Sequence, residues 1–255
     1  MYTSYEQRFA MLDEFAEGSF PFVSKMTNAV IEKNDGWNLM LGDSNIASLN
    51  GASIYTSRKE TVDELLAAFE KYGRSANIRL VGPGVVHLEA LQKHGFKNYG
   101  GVPFMMWVAD DSMDSFTLRD GLTVRQVTPD DLPVMREIYR EVYEMADEEL
   151  DVFQSMFFAA SQAITYGLIK EDEMVSIVTA MVHNDTVGIW NMGTPNAHQK
   201  NGYGLQLLSY VMKTHKNLGA KRLYLHSSTA GKFLYDKAGW ITLDYFPYLA
   251  KAPTE

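Results

Sequence analysis

The chain has no cysteine among its 255 residues. That absence excludes disulfides, thiolate metal sites and cysteine nucleophiles. It also has no apolar run near the ~18 residues that read as a membrane span, so none is expected. Positive charge is scarce: 23 Lys and Arg against 32 Asp and Glu leave a formal charge of −9. The deficit is even along the chain. Residues 1–115 hold 10 basic and 15 acidic side chains, and residues 116–255 hold 13 and 17. Neither half carries the basic footprint that a phosphate backbone demands, so no nucleic-acid partner is expected. The first residues, Met1-Tyr2-Thr3-Ser4-Tyr5-Glu6, lack the basic and apolar regions of a signal peptide. A cytoplasmic location is the expectation.

What is present is ordinary for a folded protein. Apolar residues make up 46% and charged residues 22%. The length falls near two domains of ~100–150 residues. The polar stretch Asp110 to Gly121 is the best boundary between them. An apolar strand-like run, Phe104 to Val108, precedes it, and the alternating Leu122-Thr123-Val124-Arg125-Gln126-Val127 follows.

After the boundary the pattern predicts β-α-α-β-β-β-α-β-α-β. Thr128-Pro129-Asp130-Asp131 is a helix start with Thr as cap and Pro in the first turn. That helix should run to about Glu144, and Val152 to Ala163 should be a second. Strands are expected at 165–170, 174–183, 186–194, 222–226 and 241–248, with helices at 204–218 and 230–238. Before the boundary, helices are expected at 4–17, 20–33, 61–72 and 85–94. Strands are expected there at 37–41, 46–55, 78–81 and 102–108. The two halves echo each other. Gly95-Phe96 and Gly239-Trp240 sit 144 positions apart, each after a strand-turn-helix and before a proline-bearing strand (Pro103, Pro247).

The stretch that carries chemistry is residues 194–208. Gln199-Lys200-Asn201-Gly202-Tyr203-Gly204 is a Q-x-x-G-x-G turn between a predicted strand and a predicted helix. Glycine serves where a backbone bends tightly or meets a ligand closely. Unpaired N–H groups at a helix start favour an anion such as a pyrophosphate. A dinucleotide fold is a poor fit, because G-x-G-x-x-G is absent here and hairpins precede the loop. The P-loop pattern is absent too.

The second half resembles the GNAT family of acetyl-CoA-dependent N-acyltransferases over about residues 121–249. The resemblance rests on the Leu122 to Leu132 opening, on Gly193-Thr194-Pro195 leading into Gln199-x-x-Gly202-x-Gly204, and on Phe233-Leu234-Tyr235-Asp236-Lys237-Ala238-Gly239-Trp240. The first half resembles the degenerate GNAT-like half of tandem members. It keeps the closing unit with Gly95-Phe96 but lacks the Q-x-x-G-x-G loop. The resemblance implies an α/β (α+β) fold of two GNAT-like mixed-sheet domains in tandem. Residues 1–115 would be degenerate and 121–255 catalytic.

By that resemblance, acetyl-CoA is the cosubstrate and the acceptor is a primary amine of a small molecule or peptide. The strand ahead of the loop would be bulged and splay from its neighbour; it ends at Met192, Gly193 and Thr194, the pantetheine arm would pair with it, and amides there would polarise the thioester oxygen. Gln199, Lys200, Asn201, Gly202, Tyr203 and Gly204 would hold the pyrophosphate. Lys200 could add a cation there, though a lysine in a loop is more often simply solvated. Tyr235 would protonate the leaving thiolate; its unperturbed pKa of ~10 keeps it protonated at neutral pH. Ser228 stands where many members carry an asparagine that contacts the cofactor. The strand from Thr186 to Thr194 lacks the family's usual glutamate base, so Asn191 is the candidate to order a proton-relaying water. His183 and His226 each suit either a base or a structural histidine, and His198 should lie at the surface. The acidic run Asp147-Glu148-Glu149-x-Asp151 suits either an amine-attracting surface or a solvated helix end. Phe153, Met156, Phe157 and Phe158 read as core. The alternative to an enzyme is an acyl-CoA-binding pseudoenzyme that senses or scaffolds.

Overall fold

The computed structural model describes residues 4–23, 28–42, 50–151 and 162–251. Its strands are β1 (Val30–Lys33), β2 (Trp37–Leu41), β3 (Gly51–Ile54), β4 (Asn77–Leu80), β5 (Phe96–Val108), β6 (Leu122–Gln126), β7 (Ala163–Lys170), β8 (Glu173–His183), β9 (Thr186–Gly193), β10 (Arg222–His226) and β11 (Ile241–Lys251). The helices are α1 (Tyr5–Val23), α2 (Thr61–Tyr72), α3 (Leu88–Lys93), α4 (Leu132–Tyr143), α5 (Tyr203–Asn217) and α6 (Lys232–Lys237).

The sequence reading expects two mixed sheets. The structure joins all these strands into one mixed sheet, in the order β1-β2-β3-β4-β11-β5-β10-β9-β8-β7-β6. The closing strand of each half crosses to the other. β5 lies between β10 and β11, and β11 lies between β4 and β5. The alternating pattern of a closing strand specifies which face is buried, not which edge it joins. That is why sequence alone does not reveal the exchange.

The exchange is two-fold-like. Val102 of β5 faces Phe246 of β11. Those positions differ by 246 − 102 = 144, the spacing that separates Gly95 from Gly239. Pro103 faces Tyr245, and Pro247 faces Gly101. A proline cannot donate to the ladder, and the register slips between Pro247 and Leu249.

Helices cover both faces. The α2 residues Val62, Leu65 and Phe69 pack on Leu39, Ile54, Ile78 and Leu80 of the first wing. The α5 residues Leu207, Leu208, Val211 and Met212 pack on Val178, Ala180, Leu223 and Leu225 of the second. On β10 the side chains alternate, so Tyr224 points to the other face. There α1 places Met11, Leu12 and Phe15 over Phe104, Met106, Tyr224 and Phe246. Each large side chain buried this way contributes roughly 1.5–3 kcal/mol.

Three local expectations change. Residues 30–33 form a strand rather than the end of a helix, since Asn34 Oδ1 accepts from the Gly36 and Trp37 amides (3.0 and 3.1 Å) and folds the chain into a hairpin. The helix expected at 85–94 starts as a 3-10 turn, Gly82–His87, before α3. A Cβ at Gly84 would lie 2.1 Å from the Ile54 carbonyl oxygen, so only glycine fits that turn. The strand expected at 102–108 begins at Phe96. The expected helix from Val152, with Phe153, Met156, Phe157 and Phe158, lies outside the described residues apart from its last two positions. Ala163 starts β7.

Candidate active site

The cleft originates in a short strand pairing. β9 and β10 run parallel, but only Thr186–Gly188 pair with Arg222–Tyr224. Further along β9, Trp190 faces Thr179 of β8 while Gly193 faces Ile177. Asn191 and Met192 therefore stand against Val178 alone, which is a β-bulge. Asn191 takes the left-handed φ of 51° that such a kink needs. The strands diverge beyond it, and the gap is a cleft of about 840 Å³.

The Q-x-x-G-x-G loop closes one end. Gln199 Nε2 donates to the Thr194 carbonyl (3.1 Å) and to Asn196 Oδ1 (3.0 Å), tying the loop to the strand end. The Asn196 amide donates to Glu141 Oε1 of α4 (2.6 Å). Lys200 and Gly202 adopt φ of 64° and 78°, which turns successive amides toward one side at the start of α5. A Cβ at Gly202 would meet nothing within 4 Å, so the space beside this residue is open. At Gly204 a Cβ would lie 2.9 Å from Leu234 Cδ1, so this glycine lets α5 approach α6. An open cradle of helix-start amides fits a pyrophosphate.

Tyr235 of α6 faces the bulge. It is 8% exposed, packs edge-on to Trp240, and points its hydroxyl at Met192 Sδ (3.8 Å). Burial raises its pKa above the ordinary tyrosine value, so the hydroxyl holds its proton at neutral pH. Tyr143 of α4 donates to the Met192 carbonyl (2.7 Å) and braces the bulge from the other side.

Residues 132–240 match the acetyltransferase (GNAT) family. The match runs from the start of α4 to just beyond α6. No curated protein matches the sequence. Among solved structures, a GCN5-related N-acetyltransferase from Kribbella flavida aligns over 100% of this chain and 97% of its own, with a TM-score of 0.70 at 14% identity. A functionally unknown conserved protein from Staphylococcus epidermidis covers 92% of this chain and 99% of its own, with a TM-score of 0.64 at 15% identity. A GCN5-related N-acetyltransferase from Sphaerobacter thermophilus covers 84% and 76%, with a TM-score of 0.61 at 14% identity. The fold shared with the first two extends over nearly the whole chain, the first half included.

The GNAT-like cleft collects the residues singled out from sequence. Tyr235, Asn191, Met192, Thr194, Gln199, Lys200, Gly202, Tyr203, Gly204 and Ser228 all line it. Two do not. A Cβ on buried Gly193 would face Ile138 and Val142, and Asn201 Nδ2 turns back to the His198 and Gln199 carbonyls. Ser228 Oγ accepts from the Gly231 amide (3.0 Å), so it also shapes the turn into α6.

Of the histidines, His226 and His198 line the cleft. His183 instead sits against Asn184 at a hairpin end. His198 is partly buried and meets Glu173 at 3.0 Å, so it is less exposed than its loop position suggests. The acidic run is spent on α4: Asp151 pairs with Arg136, and Asp147 with Arg136 and Arg140. None of its residues lines the cleft.

Sequence reasoning missed Arg79, Arg119 and Tyr143. Arg119 lies in the boundary segment, read only as a polar joint. Its guanidinium stacks 5.1 Å over the Tyr203 ring and donates to the Asn201 carbonyl, beside the loop. Arg79 belongs to the other half, and only the strand exchange brings it near. Among the described residues no helix is long and apolar enough to cross a membrane, and no cluster of potential metal ligands forms.

Proposed function

We propose that the protein is an acetyl-CoA-dependent N-acetyltransferase acting on a primary amine. The observation that carries this reading is the cleft itself. It opens at a bulged strand, runs from a turned loop of helix-start amides, and holds a buried, protonated tyrosine at the bulge.

The residues take distinct roles. The amides of Gln199 to Gly204 hold the pyrophosphate, with Lys200 and Arg119 adding positive charge at that end. Bound there, acetyl-CoA supplies the thioester carbonyl that the amine attacks. The strand end at Met192 to Thr194 aligns the arm and polarises the carbonyl oxygen. Tyr235 gives its proton to the departing thiolate. Ser228 shapes the wall across from it.

The attacking nitrogen must also lose a proton. Asn191 orders a water at the bulge. His226, which lines the same cleft, is the proton acceptor; its buried Nδ1 has no hydrogen-bond partner among the described residues. Burial, with a smaller effect of Arg79, holds its pKa well below the ordinary histidine value, so it is neutral at pH 7.

The first half, residues 1–115, is read as a degenerate partner of the catalytic half, 121–255. Its counterpart of the β9–β10 gap is closed, because β3 and β4 pair over all four residues without a bulge. The turn before α2 has no glycine, and the helix opens on Glu60, Asp63 and Glu64. Acids at that position oppose a phosphate.

A thermal shift on adding acetyl-CoA, followed by thiol release with a panel of amines, tests the reading. A shift with turnover supports it. A shift without turnover on any amine supports the pseudoenzyme, and no shift at millimolar acetyl-CoA rejects both.

A further inference from the structure

The inner end of the cleft contains a charge that has no ion-pair partner among the described residues. Arg79 lies on β4, between Ser53 of β3 and Tyr248 of β11. Its guanidinium runs along the backbone at Gly51, where a Cβ would lie 3.6 Å from Nη1. It lines both the 840 Å³ cleft and a small cavity of about 30 Å³ behind it, under α1. His226 and Trp190 line the same two spaces. Arg79 and His226 keep some solvent exposure while lying deep among protein atoms, as side chains on the floor of a cleft do.

Among the described residues no carboxylate lies within ion-pair distance of Arg79. The ionisable group that acts on it is the Tyr248 phenol, which burial keeps protonated. A guanidinium set deep in protein without an anion is costly, and native proteins rarely keep one without a use. Asp13 also lines the small cavity, but its carboxylate is turned to Lys33 (3.5 Å).

The position has a structural logic. Arg79 pairs with Tyr248, and His226 pairs with Phe104. Tyr248 and Phe104 are 248 − 104 = 144 apart, the spacing that relates the two halves. Arg79 and His226 thus hold matching places beside the two exchanged strands, although they themselves stand 226 − 79 = 147 apart. One half contributes a neutral imidazole to the cleft floor and the other contributes a cation.

We infer that the acceptor amine also carries a carboxylate, which Arg79 of the first half binds at the inner end of the cleft. The inference deepens the acetyl-transfer reading and rests on it. A planar guanidinium offers two parallel N–H donors that match a carboxylate. The lone cation, beside a neutral histidine and the hydroxyl of Ser53, suits a single negative charge better than a doubly charged phosphate. The acceptor class is therefore an amino acid or a short peptide presenting its carboxylate close to its amine. With the carboxylate on Arg79, the amine is held toward the bulge, and the bound negative charge offsets the cation that disfavours protonation of His226.

The test has two arms. In the first, the whole protein and its Arg79→Gln and Arg79→Lys variants are titrated with N-acetylated amino acids and with the matching amides, read by tryptophan fluorescence. The acids should bind and the amides should bind at least tenfold more weakly. Arg79→Gln should lose the acids, and Arg79→Lys should retain part of their binding. The Arg79→Gln melting temperature should be unchanged or raised, which a purely structural arginine would not allow. In the second arm, thiol release from acetyl-CoA compares amino acids with their decarboxylated amines, and the acids should lead by at least tenfold in kcat/KM. Turnover of amines without a carboxylate preference overturns this inference and leaves the acetyl-transfer reading intact. Absence of acetyl-CoA binding overturns that reading, while the fluorescence arm still decides on Arg79. Failure of every N-acetylated acid to bind, or equal binding by Arg79→Gln, overturns the inference.

Discussion

His215 offers a quantitative test of the core that positions the loop. It sits on α5, 1% exposed, with Nε2 3.2 Å from the Tyr166 hydroxyl. Burial lowers its pKa from 6.5 to about 4. The unfolded chain therefore takes up a proton as pH falls through about 6.5, and the native chain resists until about 4. The stability contributed by the neutral imidazole is complete above pH 6.5 and is lost as pH falls toward 4. The full difference is about 3 kcal/mol, at ~1.4 kcal/mol per pH unit between the two values. At pH 5.0 about 2 kcal/mol of it is gone, or roughly 4–8 °C of melting temperature for a chain of this size. His226 is also buried and neutral, and adds its own loss, so the informative quantity is a difference between proteins. Urea unfolding followed by circular dichroism, at pH 7.5 and 5.0, should show the native protein losing about 2 kcal/mol more than His215→Gln. Equal losses in the two proteins would refute the reasoning.

Other expectations follow from single contacts. Tyr235→Phe should lower kcat by ~100-fold or more and move the acetyl-CoA Kd by less than twofold; equal kcat would remove Tyr235 from proton transfer. Gly202→Val should raise the acetyl-CoA Kd by at least tenfold in a binding titration, because φ at 78° is strained for valine and the side chain fills the open cradle. Unchanged affinity would sink the loop assignment. Asp131→Asn should cost about 1–2 kcal/mol in urea unfolding, since Asp131 accepts from the Thr128 amide (2.8 Å) and grips Arg125 with both oxygens. Arg125 holds the Asp131 carboxyl well below the usual range. That contribution is present above pH ~4 and fades as pH falls further, so the variant should show less of the decline seen below pH 4.

The sequence makes the local elements legible where side-chain spacing alone determines them. α2 falls on Thr61–Tyr72 as predicted, because Val62, Leu65 and Phe69 form one stripe and Gly73 ends it at φ 60°. β10 and the Q-x-x-G-x-G loop follow for the same reason. Tyr235 is legible through its motif, and the structure adds its burial and the Met192 contact. The bulge is legible only through the family resemblance, because nothing in Trp190-Asn191-Met192-Gly193 itself distinguishes a kinked strand from a straight one. Arg79 and Arg119 escape notice for a different reason. Arg79 reaches the cleft, and Arg119 the loop beside it, from outside residues 132–240, through tertiary contacts that no sequence spacing encodes.

The exchange of closing strands makes sense of a half that lacks the loop. Had β5 and β11 each closed its own half, the first half would be a separate body beside the second. Instead β5 supplies Phe104 next to His226, and Met105 and Trp107 to the core under α5. A strand from residues 1–115 thus pairs with β10, whose His226 lines the cleft. The same arrangement brings β4 within reach and turns Arg79 toward the space that the diverging β9 leaves open. The first half carries no Q-x-x-G-x-G loop, yet its sheet is built into the same structure. A face that must stay folded and already borders the cleft is well placed to recognise the acceptor. On the proposed reading, a division of labour between the halves would follow from this topology: the second would bind and activate, and the first would select.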